Sequence, residues 1–598
     1  MKLTQAVDEL RSNPEQWQAF ATDGHVVVHA PPGSGKTKLL ATRVAFDLVN
    51  KIPPPHGAAC VTLTNAAAEE LRARIEAIGS SRRPTLFIGT VHSFAYTKII
   101  LPFAELTGRA ELTHRSVATK AETQSAMKAA IASTPSAGDD RYLDSTINVL
   151  RNRFATDEQW AAAGDVVFDV AQRYLNNLAS ANLIDFTGII EAAVEIVEKS
   201  RTVRKVLNAK YPSIYVDEYQ DLAPGLDRLV KALCFDYFTE SDLFAVGDPD
   251  QAVFGFNGAK PELLHDLSCR QGVTPIQLKS NYRSGHEILR VAKSMKHSEY
   301  EVVGRRVGGR VRATFCPGGS AGQSVQAADY IQELQQQGVS LNEIVVICPD
   351  NRFCGVAAIA LRQRQLPVFF RNSQEYGLST LTSFVERCVV WSSLACDEDE
   401  YRLADLQRRW RSLLGNHWDW SRAVELTRVL LEIRRHLDDP ASSAIESLRD
   451  AGLDIASKRP QFAGDAPDAE AMHLAVTTGA LKDFSTRAFA QRVRKSDCVE
   501  VTTMTSSKGL EFDHVVILGM NQNLVPHFNA IGNPEKMAEE RRKFYVSLTR
   551  ARESIEVYYS DQINWTKSTS RAEPSIFLDE AGLLEARSTQ PFFRPGFN

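Results

Sequence analysis

The stretch Ala30–Thr37, APPGSGKT, follows directly on the apolar run His25-Val26-Val27-Val28. A short β-branched run bounded by Gly24 and by Pro31-Pro32-Gly33 predicts a buried parallel strand. The residues after it, KTKLLATRVAFDLV, have helical period. Strand, glycine loop and helix in that order are the setting in which a phosphate-loop pattern acquires chemical meaning. Gly33 and Gly35, with Ser34 between them, let backbone N–H groups crowd around an anion at the positive end of a helix dipole. Lys36 would reach the β- and γ-phosphates, and the Thr37 hydroxyl would ligate Mg²⁺. Ala30 stands where the strict pattern has its first glycine. The bland alternative is a glycine-rich connection with a chance GKT.

A chain of 598 residues exceeds a single core and implies about four domains. Its apolar share of 43%, charged share of 24% and net charge of −4 are those of a soluble globular protein, and argue against a wholly basic, nucleic-acid-coating surface. A local basic groove is compatible with that balance. The nine cysteines are scattered without a CxxC pair, which disfavours zinc and iron–sulfur sites and suits a reducing compartment. The polar start MKLTQAVDELRSN and the lack of any long apolar run predict a soluble, intracellular, cytoplasmic protein.

Along the chain, Asn13-Pro14-Glu15-Gln16 precedes the first strand, and a side-chain amide there can read an adenine edge. A surface glutamine is the plainer reading. Ala59–Leu63 reads as a second strand, followed by a helix capped at Thr64-Asn65, and Phe87–Thr90 as a third, ending in Val91-His92-Ser93-Phe94. Ile214-Tyr215-Val216-Asp217-Glu218 is a buried strand ending in two acids. Beside a phosphate loop, Asp217 would hold a metal ion and Glu218 would polarise the attacking water. The strand Leu243–Val246 leads to Gly247-Asp248-Pro249-Asp250-Gln251, whose glutamine amide can touch both γ-phosphate and water. Phe254 and Phe256 are either core or base-stacking platforms.

These segments, in order, resemble the motifs of superfamily 1 helicases of the UvrD/Rep/PcrA type: APPGSGKT, TLTNAAAEELRARI, GTVHSFA, IYVDEYQDL and VGDPDQAVFGFNGA. The second half agrees through LKSNYRSG at Leu278–Gly285, TTMTSSKGLEF at Thr502–Phe512 and EERRKFYVSLTRAR at Glu539–Arg552. The resemblance implies an α/β fold of two RecA-like parallel-sheet domains, a P-loop NTPase, each with a mainly helical insertion. Periodicity independently predicts strands at Val311–Phe315, Glu343–Cys348, Pro367–Phe370, Val499–Met504, His514–Gly519 and Ser554–Tyr559. The expected layout is domain 1 in residues 1–95 and 180–265 with an insertion at 96–179. Domain 2 is expected in 266–375 and 497–584 with an accessory insertion at 376–496, and 585–598 as a flexible tail.

The resemblance implies ATP and Mg²⁺ as cofactors, with Tyr282 stacking on adenine, Arg283 and Arg550 contacting the γ-phosphate, and Glu511 holding the ribose. Gln16 and Arg43 complete the expected nucleotide set. It places DNA across Thr64, Asn65, His92, Phe254, Phe256, Asn257 and Thr505. Here the chain departs from the family pattern. Thr505 replaces a histidine, Asn257 an arginine, Ala66 a lysine and Leu63 a phenylalanine. The leading expectation is an ATP-dependent 3′→5′ helicase acting on single-stranded DNA or a 3′-tailed duplex, with a protein partner such as a nuclease or repair factor supplying any cutting. The alternative is a nucleotide-gated motor or regulatory subunit of a multi-protein repair or defence complex with little unwinding of its own. An RNA helicase of another branch is disfavoured by DEYQD together with NYRS. The basic run Arg305-Arg306 to Arg312 reads as a phosphate contact or as a solvated loop and strand.

Overall fold

A computed structural model describes residues 2–79, 83–135, 140–235, 241–370, 376–377, 379–394, 401–462, 464–479, 481–494, 497–565 and 568–584. The expected tail 585–598, part of the small-polar stretch Ala132–Asp139 and the side chain of Ala66 lie outside the described residues. The chain forms two compact units, residues 1–279 with 373–496, and residues 280–372 with 497–598.

The first unit is built on six parallel strands: β1 (His25–His29), β2 (Ala58–Thr62), β3 (Phe87–Thr90), β4 (Ser213–Val216), β5 (Asp242–Gly247) and β6 (Val273–Gln277). Their order across the sheet is β3-β2-β4-β5-β1-β6. Helices cover both faces, so the strands read as unbroken apolar runs and not as alternating ones. Val26 and Val28 pack with Leu39, Leu40 and Val44 of the helix Lys36–Asn50, while Val27 packs on the other face with the helices Phe186–Lys199 and Pro224–Cys234. The period of two along each strand divides the core into these layers. All the chemically marked loops therefore leave the same carboxyl edge of one sheet.

The boundary expected at residue 265 moves. Strand β6 pairs in parallel with β1, so the first unit runs on to Lys279. As an edge strand β6 carries Pro275 and exposes Thr274, which hides it from a search for buried β-branched runs. The insertion expected at 96–179 is also redrawn. Ile99, Ile100, Ala104 and Leu112 belong to the sheet's own core, whereas a separate core links Ala118 through Ile147 to Leu178, with Leu183 packed against it. Its base is closed where Ser116–Val117 pairs with Leu183–Ile184.

The accessory insertion has its own helical core around Phe384, Trp410, Leu430 and Phe489. Although it interrupts the second domain in sequence, it groups with the first unit, and Arg409 makes an ion pair with Glu69 at 2.8 Å. The second unit carries β7 (Arg310–Phe315), β8 (Ile344–Cys348), β9 (Val368–Phe370), β10 (Val499–Thr503), β11 (Phe512–Ile517) and β12 (Ala551–Tyr559). They run in parallel in the order β7-β12-β11-β8-β10-β9, with apolar cores on both faces. Each expected strand of this domain is present, and both sheets have the RecA-like arrangement. No described helix is long and apolar enough to cross a membrane.

Asp47 ties the first unit together from within. Its carboxylate pairs with the Arg43 guanidinium and accepts the Tyr215 hydroxyl at 2.6 Å, while Arg43 also donates to the carbonyls of Phe20 and Thr22. Asp47→Ala would leave that guanidinium buried without its carboxylate. The expected cost is about 3–5 kcal/mol, measured by equilibrium urea unfolding; a loss under 1 kcal/mol would show that the network contributes little.

Candidate active site

The phosphate loop turns on two residues with left-handed backbone, Gly33 at φ 71° and Gly35 at φ 84°. At Gly35 glycine is required twice over, because a Cβ there would lie 2.7 Å from the Gln16 amide nitrogen. Gln16, buried at the start of the helix Pro14–Ala21, donates that amide to the Ser34 carbonyl at 2.7 Å. The expected adenine reader is thus held against the loop itself. Lys36 and Thr37 open the helix Lys36–Asn50.

Asp217 and Glu218 leave the end of β4. Lys36 makes an ion pair with Glu218 and lies 3.7 Å from Asp217. Burial works against the charged ammonium, but Glu218 and Asp217 more than compensate and raise the Lys36 pKa. Burial pushes Asp217 upward from the usual carboxylate range, with Lys36 pulling down and Glu218 pushing up. Glu218 sits at φ 57°, a left-handed conformation uncommon for a residue with a side chain, and such departures gather at functional sites. Gln251 donates to Asp248 at 2.9 Å, and Asp248 in turn contributes to the field on Lys36.

Two residues expected at the nucleotide are hydrogen-bonded to backbone carbonyls in this structure. The Arg43 guanidinium is committed to Asp47 and to the carbonyls ending the helix Pro14–Ala21, a structural clamp. Arg550 is 2% exposed. Its guanidinium donates at 2.9 Å to the Val546 carbonyl, near the end of the helix Pro534–Leu548, and at 3.2 Å to the Leu510 carbonyl just before β11.

In the second unit Arg283 pairs with Glu511 at 2.6 Å, so two residues expected on different parts of the nucleotide are bonded to each other. Arg552, which motif reading passed over, holds the other Glu511 oxygen at 2.8 Å and also pairs with Asp513 and Glu343. Burial would raise the Glu511 pKa, but the two guanidiniums keep it below its usual range. Tyr282 is about half exposed, its ring accessible for stacking. Thr505 follows β10, its carbonyl accepting from Lys508 N at 3.3 Å. In the basic run, Arg306 pairs with Glu553, and Arg310 and Arg312 both approach the buried Glu556.

Five expected DNA residues of the first unit, Thr64, Asn65, His92, Phe254 and Asn257, line one cavity of about 570 Å³. Phe256 stands beside it, 54% exposed, its ring 5.9 Å from that of Phe254, so it is not a core residue. Desolvation pushes His92 down to about 4 against the pull of Asp185, leaving a neutral imidazole whose ring meets Phe186 edge-on. Pro460, Gly464, Asp465 and Asp468 of the accessory insertion supply another wall, a long-range contact without local sequence signal. The cavity lining contains no lysine or arginine among the described residues.

Residues 12–270 match the UvrD/REP helicase N-terminal domain, and residues 467–562 match the UvrD-like helicase C-terminal domain. Among similar proteins, the ATP-dependent DNA helicase PcrA of Staphylococcus epidermidis is 25% identical over 97% of this chain and 87% of its own length. Its Bacillus subtilis counterpart is 24% identical over 91% and 82%. That of Staphylococcus aureus is 24% identical over 98% and 90%. With two RecA-like sheets and a phosphate loop facing an acidic pair, the chain belongs to the superfamily 1 helicases of the UvrD/Rep/PcrA type, ATP-hydrolysing DNA helicases.

Proposed function

We propose that this protein hydrolyses ATP to translocate 3′→5′ along single-stranded DNA, stepping through ATP-driven closure of its two RecA-like domains. The observation that carries the reading is the convergence of Lys36, Asp217, Glu218 and Gln251 on the carboxyl edge of one sheet, the edge whose β2 and β3 loops also line the aromatic cavity.

In this reading the loop amides cradle the phosphates while Lys36 leaves the two acids to meet them. Freed from its ion pair, the Glu218 carboxylate accepts a proton from the attacking water. Gln251 contacts both that water and the γ-phosphate. Tyr282 stacks on the base, Glu511 holds the ribose, Arg283 exchanges its Glu511 partner for phosphate, and Arg550 would contact the γ-phosphate only after giving up its carbonyl partners. A divalent ion fits the donor set: Thr37 and Asp217 offer hard oxygens, and the spot already stabilises the Lys36 ammonium. When bound, Mg²⁺ would neutralise charge on the β- and γ-phosphate oxygens.

On the DNA side, the cation-free cavity and the neutral Asn257 and Thr505 favour stacking over phosphate contact. Partners beyond DNA, such as a nuclease or repair factor, would act through other surfaces.

Glu218→Gln and Lys36→Ala should each lower single-strand-stimulated ATPase turnover by about 10²-fold or more, with the far-ultraviolet circular dichroism of the folded chain retained. Near-normal turnover in Glu218→Gln would remove the assignment.

A salt titration of single-strand binding tests the track. Phe256→Ala should weaken binding with little change in slope or stability. Asn257→Arg should tighten binding and steepen the slope by about 0.7. Unchanged affinity in Phe256→Ala would mean that DNA runs elsewhere.

A further inference from the structure

Gln220 stands two residues beyond the acidic pair and is fully buried. Its amide nitrogen donates to Glu218 Oε2, and its amide oxygen accepts the Asp248 backbone N–H at 3.0 Å. Asp248 then accepts from Gln251 at 2.9 Å. Three hydrogen bonds therefore link the Glu218 carboxylate to the Gln251 amide, through the Gln220 side chain and then through Asp248, from its backbone N–H to its carboxylate. The approach is built for it: a Cβ on Gly247 would lie 2.5 Å from the Gln220 amide oxygen. Glu218 in turn has a left-handed backbone and pairs with the Lys36 ammonium. Once Lys36 turns toward phosphate, the Gln220 amide still restrains the Glu218 carboxylate.

We infer that Gln220 is a positioning residue for hydrolysis, orienting Glu218 toward the water and making that orientation depend on the Asp248–Gln251 turn. The inference rests on Glu218 acting as the base. A glutamine suits the task because one planar amide donates on one side and accepts on the other. A carboxylate or a thioether of similar size cannot do both.

Two variants separate positioning from simple support. Gln220→Glu keeps the size and the acceptor toward Asp248 N but loses the donor toward Glu218, and Gln220→Met loses both. In ATPase assays at saturating single-stranded DNA, Gln220→Glu should lower kcat about tenfold or more with KM for ATP within about twofold. Binding of a fluorescent ATP analogue and the melting temperature should stay near wild type. Combined with Gln251→Ala, the loss in kcat should fall short of the product of the two single losses, because both act through one network. Wild-type kcat in Gln220→Glu would overturn the inference, leaving a residue that only supports the turn. Equal changes in kcat and KM, or losses that multiply, would overturn it too. Should Gln220→Met fail to fold, Gln220→Glu alone decides. Failure of the base assignment is distinguishable, since Glu218→Gln would then retain turnover whatever Gln220→Glu does.

Discussion

The Lys36 ammonium is held against Asp217 and Glu218 in a place where burial works against the charge on both Lys36 and Asp217. Water is largely excluded, so each charge depends on the other two, and removing one leaves the remainder uncompensated. The surrounding structure follows from this constraint. A parallel sheet brings the ends of β1 and β4 to one edge, glycines let the loop curl over them, and Gln16 closes the loop from behind. On the proposed reading, a phosphate group takes the place of the carboxylates against this ammonium.

The second unit repeats the logic with signs reversed. Glu511 lies between Arg283 and Arg552, one carboxylate shared by two guanidiniums. Losing Arg283 to a phosphate would still leave Glu511 a cation at 2.8 Å. The carboxylate can therefore stay ionised and in place while its first partner moves. Arg550, by contrast, is anchored through backbone carbonyls, which do not change charge when a ligand arrives.

Much of this was legible in the chain itself because the signals are local. The β-branched runs ending in GSGKT and in DE mark buried parallel strands, and they lie where expected. What escaped reading depends on distance or on direction. Strand β6 is an edge strand with Pro275 and exposed neighbours, so its pattern looks like a loop. Gln220 looks the same in sequence whether its amide points outward or into the site. The cavity wall at Pro460, Gly464, Asp465 and Asp468 comes from nearly four hundred residues beyond Asn65, and nothing local announces such a contact. Arg43 and Arg550 occupy motif positions, yet their guanidiniums answer carbonyls at helix ends. For the same reason the accessory insertion's grouping with the first unit could not be read from its position in the second domain.

The short strand pair at Ser116–Val117 and Leu183–Ile184 brings the two ends of the inner helical insertion side by side. A segment that leaves and re-enters a sheet domain at one point has the geometry of an interchangeable cassette, since a tight turn could join its stumps without shifting a strand. One residue prevents a clean exchange. Arg151, inside the cassette, is buried against Asp185 outside it, and Tyr174 donates to the same carboxylate at 2.8 Å. Removing the cassette would take away Arg151 and Tyr174 and leave Asp185 only its cap bond to the Gly188 N–H at 2.7 Å, at the head of the helix Phe186–Lys199 whose Phe186 meets His92. A chain that shed this insertion would thus keep the helix cap at Asp185 and lose its buried ion pair.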